Sequence, residues 1–331
     1  MSDNETFFRL ADPYRPELLV HCYRMLGSLD DAEDLLQETY LRAWRGYDGF
    51  EGRSSLRAWL YRIATLACLS ALQHRSRRFL PSGLGQPSDD PDQPSNFAPG
   101  DVLWVQPLPG SALDPATQDP AAIVASRSSV RLALIAALQH LPPRQRVVLI
   151  LRDVLAWRAA EVADLLDTST TAVNSALRRA RAQLEAVAPD ENDAVPALDR
   201  AHRELLERYV TAFENADIEA LLRLLRADVT LEMPPETTWY AGRHAVGQFI
   251  ATRIFPGAGR LRLLTTAAND QPAVAVYRRD DSGGTFRPYA LQVLTLDGHR
   301  IARIVVFRQP MPFPAFGLPE RLETISTPMA R

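Results

Sequence analysis

Residues 165–184, LLDTSTTAVNSALRRARAQL, constrain this chain most, because their pattern breaks and restarts a helix within four residues. Val162, Ala163 and Leu166 share one face of a helix predicted over 159–166, and Asp167-Thr168 interrupt it. Ser169 is a good N-cap for a second helix, which carries Val173, Ala176, Leu177, Ala180 and Leu184 at helical spacing. The opposite face presents Thr170, Thr171, Asn174, Ser175, Arg178 and Arg179, with Arg181 nearby. Hydroxyl and guanidinium groups bind phosphates, and Asn and Arg pair with base edges, so this helix-turn-helix is a candidate DNA reader. The turn at Asp167 is expected to need φ > 0, which Asp tolerates better than most residues. In isolation such a helix reads equally as a surface helix with a solvated basic face. Upstream, Pro142-Pro143 open a further helix, expected over 144–152, that would pack on the pair.

The formal charge of −3 hides a segregation that matters for partners. Residues 28–38 hold five acids and no base, 53–78 hold six Arg and no acid, and 81–125 hold six Asp and no base, so basic faces exist despite the acidic total. No apolar run reaches the ~20 residues of a membrane span, and the first ten residues lack a signal-peptide pattern, so a cytoplasmic location is expected. Cys22 and Cys68 sit in apolar helical stretches without CxxC spacing and are expected as small buried hydrophobes. Neither a metal site nor a cofactor site is indicated.

Along the chain, residues 5–80 read as helices: Arg15–Leu26 ending at Gly27, then 31–46 capped by Ser28 or Asp30, then, after the loop 47–54, a helix over 55–78. Residues 81–120 contain nine Pro and six Asp and are expected to form an extended linker, with one apolar patch around Trp104 that would dock on something. A helical unit follows at 121–188. Residues 197–319 combine one long helix (198–225), a helical segment near 243–252, and strands at 229–233, 261–267, 273–277, 289–295 and 301–307. Residues 320–331 form a tail.

The stretch LPPRQRVVLILRDVLAWRAAEVADLLDTSTTAVNSALRRARAQL resembles region 4 of the extracytoplasmic-function (ECF) sigma factors of bacterial RNA polymerase. DDAEDLLQETYLRAWRGYDGF with RSSLRAWLYRIATLACLSALQHRSRR resembles their region 2. The resemblance implies that Asp31, Asp34, Gln37 and Glu38 contact core polymerase. The loop 47–54 and the following helix would capture the −10 element. Arg53, Arg57, Arg62, Arg75, Arg77 and Arg78 with Trp59 and Tyr61 suit that task chemically, although Trp59 also fits a core stripe with Leu60, Ile63 and Ala67. Leu66 and Ser70 depart from the Asn and Asp common in the family. The acidic linker resembles one that threads polymerase's RNA exit path, and Trp104–Pro109 resembles a linker motif of groups with a C-terminal extension.

The C-terminal unit resembles the SnoaL-like α+β cone, in which a curved sheet wraps a helix around an apolar pocket. Tyr209, Phe213, Trp239, Tyr240, Phe249 and Val276 are the expected lining. Asp228, Glu232 and His244 are the candidate acids or bases, but no paired carboxylates, metal-ligand cluster or nucleophile elbow accompanies them, and the chain reads as no enzyme. The fold class expected is multidomain: two all-α sigma modules and an α+β cone. The function expected is transcription initiation with core RNA polymerase and promoter DNA as partners. The extension would regulate it through intramolecular contact with the sigma modules, made by Trp104 and an exposed 311–316, and through a possible small-molecule ligand. Two alternatives are a one-component helix-turn-helix transcription factor with a ligand-binding domain, and a SnoaL-like enzyme fused to a DNA-binding module.

Overall fold

The computed structural model describes residues 3–52, 54–73, 77–113, 129–187, 200–280, 284–308 and 311–323. The chain divides into two compact units: residues 1–79, 102–108 and 112–193 form one, and 80–101, 109–111 and 194–331 form the other.

The first unit is helical. α1 (Asp3–Ala11) leads into α2 (Arg15–Leu26), which stops where Gly27 takes the left-handed conformation (φ 68°). Ser28 then caps α3 (Leu29–Gly46) by accepting from the Asp31 amide, and Ser55 caps α4 (Leu56–Leu72) by accepting from Ala58. The predicted helix to residue 78 ends early. Arg78–Phe79 is instead a short strand, β1, paired in parallel with β2 (Leu103–Trp104). α5 (Leu132–Gln139) and α6 (Pro143–Leu149) follow, the latter continuing as a π-helical turn, Ile150–Val154, where an α-helix was expected to run through residue 152.

α7 (Ala159–Leu166) and α8 (Thr170–Val187) are the expected helix-turn-helix. Asp167 sits at φ 49°, ψ 60°, the left-handed geometry the turn requires, and Ser169 accepts from the Ala172 amide. Its buried face is Val162, Ala163, Leu166, Val173, Leu177 and Ala180.

The two helical modules share a core. Arg146 of α6 is almost fully buried and donates to the Met25 carbonyl at the end of α2, to the Gln139 side chain (2.8 Å) and to the carbonyls of Gln139 (3.1 Å) and Leu141 (3.2 Å). Helix C-termini present unpaired carbonyls with partial negative charge, which is what a guanidinium without a carboxylate partner needs. Burial still lowers the Arg146 pKa to about 10. Cys22 and Cys68 are both buried, and a hydrogen bond between them and burial push the Cys68 thiol up.

In the second unit the expected long helix is broken. α9 (Arg200–Glu214) ends before Ala216, at φ 54°, and Asp217 caps α10 (Ile218–Leu224) by accepting from Ala220. The α9 residues Leu205, Leu206, Tyr209, Ala212 and Phe213 are buried against a seven-stranded sheet of order β4-β3-β8-β7-β6-β5. Its strands are β3 (Leu225–Glu232), β4 (Trp239–Ala241), β5 (Leu261–Ala268), β6 (Gln271–Arg279), β7 (Thr285–Asp297) and β8 (Arg300–Arg308), with β9 (Leu322–Glu323) pairing β7. α11 (Arg243–Phe249) runs on as a π turn, Ile250–Ile254. β4 escapes sequence reading because three residues carry no period.

Strand β6 is buried on both faces. Val274 and Val276 belong to the cone's core, while Tyr277 meets Phe313 edge-on at 5.2 Å. The segment 311–316, expected as an exposed interface, therefore buries Phe313 and Phe316 within its own unit.

Candidate functional site

On α8 the residues Thr170, Thr171, Asn174, Arg178 and Arg179 are exposed together, and Ser175 is half-buried. Helical spacing puts these side chains along one face, three and four apart, opposite the buried Val173–Leu177–Ala180 stripe. Arg181 is engaged instead: it forms a two-pronged pair with Asp153 (2.6 and 2.9 Å) that ties α8 to the π turn.

The region around α3 and α4 sorts the other candidates. Asp34 and Gln37 are exposed, Glu38 is half-buried and pairs with Arg42 at 2.7 Å, and Asp31 binds Arg78 at 2.6 Å. Arg78 also donates to the Trp104 carbonyl. Arg57 is a bidentate partner of Glu17, whose carboxylate also receives the Tyr61 hydroxyl. Arg62 and Arg77 are exposed, and Arg53 and Arg75 lie outside the described residues. Trp59 is half-buried rather than a full member of the core stripe. Its ring lies 4.9 Å from Phe50, which stacks on Tyr47, so the loop after α3 carries a small aromatic cluster.

The apolar linker patch has a definite seat. Gln106 donates its amide to the Gly27 carbonyl and its side chain to Asp30 (2.7 Å), and its two oxygens accept from Tyr23 and Ser28. Val105, Pro107 and Leu108 are buried, and Trp104 is half-buried. Sequence reasoning passed over Gln106. A single amide that satisfies the start of the acidic helix leaves no periodic trace.

The earlier linker residues, 80–101, pack within the second unit rather than extending freely. Glu232 is fully buried and accepts from the Ser82 amide (2.9 Å) and from Arg303 (2.6 Å). Trp239 donates to the Gly85 carbonyl, and Arg253 donates to the carbonyls of Asp92 and Gln93.

Within the cone lies an apolar cavity that is partly open to solvent. Tyr209, Phe213, Phe249 and Val276 line it as expected. Trp239 and Tyr240 do not: Trp239 faces the linker segment, and Tyr240 stacks behind Phe249 at 4.7 Å. Gln292 and Arg308 are lining residues that the sequence did not suggest. Gln292 accepts from the Tyr209 hydroxyl (2.9 Å), and burial raises the Tyr209 pKa. Asp228 and His244 are exposed and Glu232 is bound to Arg303, so none of the three candidate acids or bases reaches the cavity.

Known proteins share this arrangement. Residues 10–78 match the Sigma-70 region 2 family, 131–184 the Sigma-70 region 4 family and 206–304 the SnoaL-like domain. The ECF RNA polymerase sigma factor SigG of Mycobacterium tuberculosis is 52% identical over 314 residues, covering 94% of this chain and 84% of SigG. The chain belongs to the ECF RNA polymerase sigma factors. The probable ECF sigma factor SigI of the same organism is 24% identical over 312 residues, 94% of this chain and 96% of SigI. The crystal structure of the ECF sigma factor SigJ from M. tuberculosis covers 92% of this chain and 97% of its own at TM-score 0.59 and 24% identity, a shared fold. This ECF factor thus joins helical regions 2 and 4 to a SnoaL-like α+β domain.

Proposed function

We propose that this ECF factor recruits core RNA polymerase through the exposed side of α3, reads the upstream promoter element with α8, and is tuned by a non-enzymatic SnoaL-like domain. The observation that carries the reading is the α8 face, where Thr170, Thr171, Asn174, Arg178 and Arg179 stand together in solvent on a helix anchored by its opposite stripe. Hydroxyls and arginines at such a face bind phosphates, and Asn174 and Arg178, one turn apart, can reach adjacent base edges. Asp34 and Gln37 are the polymerase candidates, because Asp31 is committed to Arg78 and Glu38 to Arg42. Arg62, Arg77 and the aromatic cluster of Tyr47, Phe50 and Trp59 suit the −10 strand. The factor acts where the polymerase is, in the cytoplasm; no described helix is long and apolar enough to cross a membrane. The non-enzymatic reading is supported by the sigma-factor relatives and by the region 2 and region 4 matches.

Run-off transcription with purified core polymerase and genomic fragments tests this. Arg178→Ala and Asn174→Ala should each cost about 1–3 kcal/mol of promoter binding and relax selectivity at one base position. Asp34→Arg should weaken core polymerase binding without unfolding the protein. No promoter-directed transcript from the wild-type protein would overturn the proposal.

A further inference from the structure

We propose that the cavity of the SnoaL-like unit takes a small apolar molecule bearing a carboxylate, and that this ligand releases linker residues 96–98 by drawing Arg308 away from Glu236. The inference rests on the reading of that unit as a regulatory domain.

The cavity's own chemistry selects the ligand. Its walls are apolar, with Phe213, Leu231, Phe249, Ile250, Val276 and Ile304 all buried, so the body of the occupant is hydrocarbon. Among the described residues the polar lining is Tyr209, Tyr289, Gln292 and Arg308, rich in donors and without an acid. Gln292 has its oxygen engaged by Tyr209, which leaves its amide NH2 for an occupant, and the Arg308 side chain, which also lines the cavity, is one-third exposed. A second guanidinium, Arg278, lies 4.3 Å over the ring of Tyr289, a lining residue, though it does not itself line the cavity. An acceptor of negative charge matches these groups, and a planar carboxylate matches a guanidinium two bonds at a time.

The same arginine ties the cavity to the linker. Arg308 pairs with Glu236 at 2.7 Å, and Glu236 is 2% exposed with its second oxygen, Oε2, lacking a partner. Among the described residues, Arg308 is the ion-pair partner of this buried carboxylate. Glu236 sits between β3 and β4, where the chain is bridged to the linker: Phe97 pairs with Glu236, Thr237 donates to the Asn96 carbonyl (2.8 Å), Asn96 donates to the Thr238 hydroxyl (2.9 Å) and Ala98 donates to Pro235. Phe97 is 64% exposed, so backbone bonds rather than side-chain burial hold this stretch of linker. A ligand carboxylate that captures Arg308 strands the Glu236 charge in a low-dielectric site, and the carboxylate gains by turning to water. That movement displaces 235–238 and breaks the bonds to 96–98. A ligand shifts the linker only by its differential affinity for the two arrangements, and the competition for Arg308 supplies that difference.

The test uses the full-length protein without polymerase, so its outcome is independent of run-off transcription. 2-Naphthoate and decanoate are titrated calorimetrically, each against its neutral amide, and amide hydrogen exchange is followed with and without the acid. Each acid should bind on the order of tenfold more tightly than its amide, and Arg308→Gln should erase the preference. Bound acid should speed exchange of the Asn96, Ala98 and Thr237 amides on the order of tenfold. Glu236→Gln should tighten acid binding and abolish the exchange response. Ala290→Phe fills the cavity and should remove binding of both acid and amide. If it fails to fold, the Arg308 and Glu236 variants, which leave the apolar walls intact, decide the matter. Absence of binding by both acids, equal binding of acid and amide, or a preference that survives Arg308→Gln overturns the ligand class; acid binding with unchanged exchange overturns the release of the linker.

Discussion

His21 shows how one residue sets a pH limit for the helical unit. It is fully buried on α2, its Nε2 shares a 2.9 Å hydrogen bond with Thr65 of α4, and burial, with Arg24 nearby, lowers its pKa to about 3. The folded protein therefore carries a neutral imidazole at pH values where the unfolded chain, with a pKa near 6.5, binds a proton. Stability contributed by the neutral form is intact above about pH 6.5 and falls by roughly 1.4 kcal/mol per pH unit between about 6 and 3. Chemical denaturation across that window should show this slope in the wild-type protein. A variant such as His21→Gln should lose it, whatever its stability at neutral pH.

At the scale of the element, the helix-turn-helix depends on one backbone conformation. Asp167 holds a left-handed geometry that lets α7 stop and α8 start with three residues between them, and its side chain is exposed, so packing does not compensate for a poor choice there. Asp167→Val should destabilise the helical unit by about 1–2 kcal/mol, because a β-branched residue at positive φ is strained. It should also reduce promoter affinity for all sequences alike, since it disturbs how α8 is presented rather than any single base contact. Thermal melts and a salt series on DNA binding separate these effects. Base-specific loss confined to one position would show that the turn is not what presents the helix.

At the scale of the molecule, the linker is shared between the two units: 80–101 packs in the C-terminal unit and 102–108 in the helical one. Truncation after residue 195 therefore removes more than a domain, because 80–101 loses Glu232, Trp239 and Arg253, the side chains that hold it. Promoter-directed transcript yield should differ between truncated and full-length proteins. Trp104→Ala should move the yield in the same sense if the linker is the element that responds. Equal yields and equal polymerase affinity across salt concentrations would leave the SnoaL-like domain without a regulatory role.

Sequence by itself determined the elements whose limits are set locally. Gly27 and Asp167 take the left-handed turns, Ser28, Ser55 and Ser169 cap the helices that follow them, and the α8 stripe is periodic, because capping and periodicity act within one or two turns of chain. The exposed Thr170–Arg179 face was legible for the same reason. Tertiary structure decided what rests on partners remote in sequence. Ser82 meets Arg303 across 221 positions, Gln106 meets Ser28 across 78, and Arg146 meets Met25 across 121. The same distance hides which arginines are committed to carboxylates, as Arg57, Arg78 and Arg181 are, and which remain in solvent. It also hides that Trp239 and Tyr240 stand outside the cavity while Gln292 and Arg308 line it. A β-strand's period of two says only which residues share a face. What that face meets is chosen when the sheet curves and the chain returns to cover it.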